Sequence, residues 1–181
     1  MGNLFNEKEK RFTALYQKYV DEIYKYVYMR TGMKSNVSED ITQEIFIAVY
    51  RGLYGFKGLC SERTWIYKIA AHKINDYYRK AYRAKEEIGI EDRIIEEMES
   101  SSLGLEESVM KELESEEVCK CIEKMPEQYQ IVLTLRYMDE KSIKQIAEIL
   151  EKTPKAVESL LQRAKVKFAQ RYRERSVQNE K

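Results

Sequence analysis

Two sets of polar side chains fall at spacings that gather them into lines. Lys68, His72, Asn75, Arg79 and Arg83 follow one another in steps of four, three, four and four, so a helix through them carries one row of hydrogen-bond donors. Asp76 sits beside the row and can orient its cations or meet a base. The second set is Lys155, Ser159, Gln162 and Arg163, just after Thr153-Pro154. Groups of these types neutralise phosphates and bond to base edges, which is the chemistry of nucleic-acid recognition rather than of covalent catalysis. His72 is the single histidine; with no base or metal-ligand partner in view it reads as a polar contact. No carboxylate pair, nucleophile with its base, phosphate-cradling glycine loop or metal-ligand cluster can be assembled, which argues against an enzyme.

The second set needs a helix-turn-helix to hold it. Ser142 and Gln145 form a capping box for a first helix whose apolar stripe is Ile143, Ile146, Ala147 and Leu150. Glu151-Lys152 is the joint, Thr153 caps a second helix and Pro154 fits its first position. Val157, Leu161, Ala164 and Phe168 face inward, leaving Lys155, Ser159, Gln162 and Arg163 outward, where a recognition helix meets base edges. Glu158 among them is repelled by phosphate unless it meets a cytosine amino group. An ordinary helical hairpin with a wet face is the alternative for this stretch alone.

The first set needs a long helix opened by Ser61 or Thr64, with Ile66, Ala70, Ile74, Tyr77 and Ala81 inward and the only tryptophan, Trp65, in its first turns. Before it, Tyr54 to Arg63 reads as a loop bearing Tyr54, Phe56 and cations. An earlier helix is expected with Ser38 as cap and Glu39 and Asp40 in its first turn. Ile41, Ile45, Ala48, Val49 and Gly52 make its inward side. Asp40, Gln43, Glu44, Ile47 and Arg51 make an acidic and amide-bearing outer face with one aliphatic residue in its centre, as a docking surface has. The first helix covers about residues 7–30 through Phe12, Leu15, Tyr16, Tyr19, Val20, Ile23, Tyr24 and Val27, and Gly32 ends it.

The net charge of +1 hides a pattern. Residues 1–85 hold 16 Lys and Arg against 9 Asp and Glu, residues 118–181 hold 14 against 9, and residues 86–117 hold 2 against 13. Two basic domains, 1–85 and 116–181, are therefore expected around an acidic flexible linker, 86–115, with room for a short helix before the second domain. Extended, such a segment reaches on the order of 100 Å. The second domain opens near Glu116 with Val118, Cys119, Ile122 and Met125 apolar. Pro126 then begins a helix through Met138 that packs Tyr129, Val132, Leu133 and Leu135 to Tyr137, and Asp139-Glu140-Lys141 turns into the helix-turn-helix. With 35% charged residues and two prolines, a soluble all-α protein is expected. No stretch is long and apolar enough for a membrane span or a signal peptide, and the first residues lack the Ser or Thr of a myristoylation signal, so the expected compartment is the cytoplasm. Cys119 and Cys121 are expected to face different ways and, with Cys60, to be reduced structural thiols.

In this order the segments resemble a bacterial sigma factor of the sigma-70 family, extracytoplasmic-function group. DITQEIFIAVYRGLYGF is similar to that family's core-polymerase-binding helix, RTWIYKIAAHKINDYYRK to its promoter-melting and minus-ten-reading segment, and MPEQYQIVLTLRYMDEKSIKQIAEILEKTPKAVESLLQRAK to its minus-thirty-five domain. The match covers about residues 10–84 and 116–172.

The resemblance implies a two-domain transcription initiation factor without cofactors. Its partners would be core RNA polymerase, through the β′ clamp helices and β flap, promoter DNA, and an anti-sigma factor. It assigns Asp40, Gln43, Glu44 and Ile47 to polymerase. The 54–63 loop would hold a flipped base, with Tyr54, Phe56, Arg63, Trp65, Lys68, His72, Asn75, Asp76 and Arg79 meeting minus-ten DNA. Lys155, Ser159, Gln162 and Arg163 would meet the minus-thirty-five element. His72 stands where relatives often carry Asn, and Glu158 and Leu160 where they often carry Lys and Arg. The linker would thread the polymerase channel as a polyanion in a path built for RNA. The rival readings are a polymerase-independent helix-turn-helix repressor, which usually needs a dimer, and a helical adaptor with no DNA contact.

Overall fold

The structure, a computed structural model, describes residues 2–86 and 116–179, and all regular elements among them are helical. They are α1 (Gly2–Arg30), α2 (Ser35–Gly52), a 3-10 turn (Leu53–Gly55), α3 (Glu62–Glu86), α4 (Glu116–Glu123), α5 (Glu127–Leu133), a π-helical turn (Thr134–Met138), α6 (Ile143–Leu150) and α7 (Pro154–Asn179). Two compact units result, Met1–Tyr77 and Tyr78–Lys181, with the division inside α3. Apart from Glu86, the last residue of α3, the acidic linker and the short helix expected near its end lie outside the described residues.

In the first unit, Leu15, Tyr19, Ile23 and Val27 recur every four residues on α1 and are all buried, as are Ile41, Ile45, Phe46 and Val49 of α2 and Ile66, Ala70 and Ile74 of α3. A turn with Gly32 at φ 67° and Met33 at φ 58° reverses the chain after α1, and both residues stand in the left-handed region that glycine enters without penalty. Ser38 is not the cap of α2. The helix begins at Ser35, Lys34 is its N-cap residue, and Glu39 and Asp40 stand beyond the first turn. The Ser38 hydroxyl is fully buried, donates to the Lys34 carbonyl at 2.7 Å and lies 2.8 Å from Thr31 Oγ1. It satisfies polar groups at the reversal. Ser61 caps α3, accepting from the Thr64 N–H at 3.1 Å. Farther along α3 the buried residues are Tyr78 and Tyr82, not the expected Tyr77 and Ala81, because the stripe keeps steps of four after Ile74.

In the second unit α4 buries Val118, Cys119, Cys121 and Ile122. Cys119 and Cys121 therefore do not separate into an inward and an outward thiol, and all three cysteines are free. The helix expected from Pro126 to Met138 is α-helical only to Leu133 and widens into the π turn. Leu135 is completely buried and Tyr137 half-buried. Gln130 is buried and donates through Nε2 to the carbonyls of Glu123 and Met125 at 2.9 and 2.8 Å, closing the end of α4.

The capping box of α6 forms as expected: the Gln145 N–H donates to Ser142 Oγ at 3.3 Å and the Ser142 N–H to Gln145 Oε1 at 2.9 Å. Glu151 ends that helix at φ 55°. Thr153 then accepts from the Ala156 N–H at 3.2 Å, with Pro154 first in α7. Val157, Leu160, Leu161, Ala164 and Phe168 fill the core beneath.

Candidate functional site

On α2, Asp40, Gln43, Glu44, Ile47 and Arg51 share the exposed side expected from their spacing, and Ile47 is 51% exposed. Glu44 is tied across to α3 by Lys73 Nζ at 2.9 Å. Glu44, Ile47, Ala48, Arg51 and Lys73 line one shallow groove, so an aliphatic centre lies among charges of both signs. Lys73 was not among the residues picked out in the sequence. Its place one residue after His72, off the donor row, concealed it.

The loop from α2 to α3 is shorter than expected, because Leu53–Gly55 is a 3-10 turn and α3 begins at Glu62. Tyr54 and Leu59 are exposed, at 63% and 91%. Lys8 of α1 reaches over both the Tyr50 and Tyr54 rings, 4.1 and 4.4 Å from their centroids. Phe56 and Trp65 pack at 4.8 Å between centroids, both half-buried. Trp65 also lies over Gly52, where a Cβ would come 3.1 Å from its Cζ2 atom. Glycine there is a matter of room for the indole.

Arg63 belongs to the first turn of α3 rather than to the loop. Its guanidinium grips Glu22 of α1, with Nε donating to Oε1 at 2.7 Å and Nη2 to the same oxygen. Tyr67 donates its hydroxyl to that oxygen at 2.7 Å. Arg63 hydrogen bonds first, then that of Tyr67, hold the Glu22 carboxyl below the usual carboxylate range. Burial, followed by the Glu22 hydrogen bond, raises the Tyr67 phenol above its usual value. The Tyr67 ring meets Tyr26 edge-on at 4.9 Å, and the Arg30 guanidinium stacks 3.8 Å above Tyr26. Glu22 and Tyr67 were missed in the sequence. The available signal was a pair of four-residue ladders, Glu22-Tyr26-Arg30 and Arg63-Tyr67, which meet only once α1 lies against α3.

Of the donor row, Lys68, His72 and Arg83 are exposed and Asn75 and Arg79 half-buried, as is Asp76 beside it. On α7, Lys155, Ser159 and Gln162 are exposed, and Arg163 is half-buried with Nε donating to the Ser159 carbonyl at 3.5 Å. Glu158 is exposed among them, but Leu160 is only 2% exposed and belongs to the core, not to the outer face. Among the described residues no group of three or more His, Cys, Asp or Glu is placed to hold a metal ion, and no helix is long and apolar enough to cross a membrane.

Residues 15–84 match the family model for Sigma-70 region 2 and residues 115–168 that for Sigma-70, region 4. RNA polymerase sigma factor YlaC of Bacillus subtilis (strain 168) is 31% identical over 160 residues, covering 85% of this chain and 87% of its own. The ECF RNA polymerase sigma-E factor of Escherichia coli (strain K12) is 31% identical over 131 residues, 70% and 69% of the two chains. The chain belongs to the ECF group of sigma-70 family sigma factors. Another ECF sigma factor, SigW of Bacillus subtilis (strain 168), is 30% identical over 77% of this chain and 76% of its own. Among solved structures, the sigma factor RpoE in complex with the anti-sigma factor NepR from Bartonella quintana aligns over 91% of this chain and 98% of its own, at 16% identity and a TM-score of 0.45.

Proposed function

We propose that this ECF sigma factor binds core RNA polymerase, directs it to promoters carrying minus-ten and minus-thirty-five elements, and helps open the duplex, with no covalent chemistry of its own. The observation that carries the reading is the ordered pair of family matches, region 2 over 15–84 and region 4 over 115–168, on a chain aligned with YlaC over 85% of its length.

The exposed α2 face is the polymerase contact in this reading. Asp40, Gln43 and Glu44 supply polar contacts to the β′ clamp helices, and Ile47 gives the apolar centre that a stable interface needs. Tyr54, Phe56, Arg63, Trp65, Lys68, His72, Asn75, Asp76 and Arg79 serve the minus-ten element, the aromatics by stacking on unpaired bases and the cations by meeting phosphate. Lys155, Ser159, Gln162 and Arg163 read the minus-thirty-five element in the major groove. Residues 1–85 form the polymerase and minus-ten domain, 86–115 the acidic connector through the polymerase channel, and 116–181 the minus-thirty-five domain, which also meets the β flap. The protein works in the cytoplasm, and an anti-sigma factor holds it inactive by covering both DNA-binding faces.

Run-off transcription from a genomic promoter library, with core polymerase and this protein present or absent, tests the reading. Transcripts sharing a two-part upstream motif, dependent on the protein and lost with Gln43→Ala plus Glu44→Ala, are the expected result. Tight duplex binding without polymerase, and no dependent transcript, would replace the reading with that of a repressor.

A further inference from the structure

We propose that Glu22 is a positioning residue that limits how strongly the groove beside Arg63 and Lys68 holds the phosphodiester backbone of a single DNA strand, by competing with that backbone for the Arg63 guanidinium. The inference rests on the sigma-factor reading and adds to it a residue on α1, outside the DNA-facing set. The groove, of about 320 Å³, is lined by Arg63, Thr64, Tyr67, Lys68 and Ala71. Two cations, a hydroxyl and a phenol suit a strand whose phosphate meets the cations while a base lies against the ring. The groove shares Lys68 with the donor row that continues to His72 and Asn75, so a strand seated there runs on along α3.

Glu22 stands at odds with such a groove. A carboxylate beside a nucleic-acid face repels phosphate, and here it engages one of the two groove cations through Nε and Nη2. The Arg63 side chain is 61% exposed and that of Glu22 35%, so the pair is a surface ion pair of the kind that adds little to stability. Its consequence falls instead on Arg63, whose Nε and Nη2 are engaged by Glu22; without the Glu22 carboxylate one more cation of the groove is available to phosphate. A phosphate that captures Arg63 must share it with Glu22 or displace it. Tyr67, whose hydroxyl meets the same Glu22 oxygen at 2.7 Å, keeps the carboxylate at this position.

The test uses holoenzyme assembled from core polymerase with the full-length protein and a fluorescent forked DNA taken from a promoter recovered by run-off, its non-template strand single-stranded across the minus-ten element. Binding is titrated at several salt concentrations. Glu22→Gln, nearly isosteric, is expected to steepen the fall of log K with log salt by about 0.7, which is about five-fold in affinity per tenfold change in salt. Tyr67→Phe, which removes a donor but no charge, is expected to leave the slope unchanged, and Glu22→Gln in an Arg63→Gln background to give no gain. An unchanged slope or weaker binding in Glu22→Gln overturns the inference, as does a gain that survives Arg63→Gln. Failure of wild-type holoenzyme to form, or to bind the fork, overturns the sigma-factor reading together with it. Circular dichroism melting of each variant separates these outcomes from misfolding, and Glu22→Ser serves as the second charge-removing variant should Glu22→Gln not fold.

Discussion

The two surfaces proposed to face DNA are organised in opposite ways. On α7 the outward side chains are presented by local structure: a capping box at Ser142, a left-handed residue at Glu151 and a cap at Thr153 fix where the helix starts, and Lys155, Ser159 and Gln162 project from it exposed. Around α3 the side chains are held by partners from other helices: Glu22 on Arg63 and Tyr67, Glu44 on Lys73, Lys8 over Tyr54. A duplex groove has a regular shape, so a correctly placed helix suffices to read it. An opened strand has none, and a surface that receives it gains from side chains already held in place.

If the α7 surface depends on its scaffold, damage beneath it should have the largest effect. Leu160→Ala, at a buried position, is expected to destabilise the C-terminal unit by about 2–5 kcal/mol, measured by urea unfolding. An effect below about 1 kcal/mol would place Leu160 at the surface and reopen its comparison with the cationic residues of relatives. The outer side chains should then divide by chemistry. Gln162→Ala is expected to cost about 1–3 kcal/mol at the minus-thirty-five element and to relax preference at one base, whereas Lys155→Ala should weaken all sequences alike and lower the salt slope by about 1. Holoenzyme binding to a panel of substituted promoters distinguishes them.

The caps come next in size. Ser142→Ala and Thr153→Ala are each expected to cost about 1 kcal/mol in chemical unfolding. Equal losses from Ser38→Ala through helix capping are not expected, since Ser38 lies inside α2; its effect should instead follow from removing the hydroxyl that links Thr31 to the Lys34 carbonyl, each of which keeps a second partner, in the Val27 carbonyl and the Ser38 N–H. The smallest effect should come from the held α3 surface under acid. The folded-state value of Glu22 is lowered from 4.5, so the unfolded chain binds more protons there at low pH. The link's contribution is therefore complete above 4.5 and is lost as pH falls through the lowered folded value. Wild type and Glu22→Gln should differ in stability at neutral pH and converge at acid pH, as followed by thermal melting across a pH series.

The same contrast explains what could be read from the sequence. Both caps of the helix-turn-helix were legible because each partner lies within three residues: Ser142 with Gln145, Thr153 with Ala156. The exposed α2 face was legible because all five of its residues, Asp40, Gln43, Glu44, Ile47 and Arg51, recur on one helical side. Ser38 misled because a buried serine bonding back to Lys34 has the same local appearance as a cap. The meeting of Glu22 with Tyr67, 45 residues apart, is set by how α1 lies on α3, and nothing in either segment specifies that alone. Leu160 sits three residues after Val157 and four before Ala164, so the inward stripe is wider than the narrow one its neighbours suggested.

The buried Gln130 amide closes α4 onto α5 with two hydrogen bonds and carries no charge at any pH. The joint beneath the helix-turn-helix is thereby insulated from ionic strength and acidity. In the proposed reading a rise in salt weakens the phosphate contacts of Lys155 and Arg163, while the uncharged Gln130 amide keeps its hydrogen bonds at the end of α4, so grip on DNA is lost before the fold beneath it.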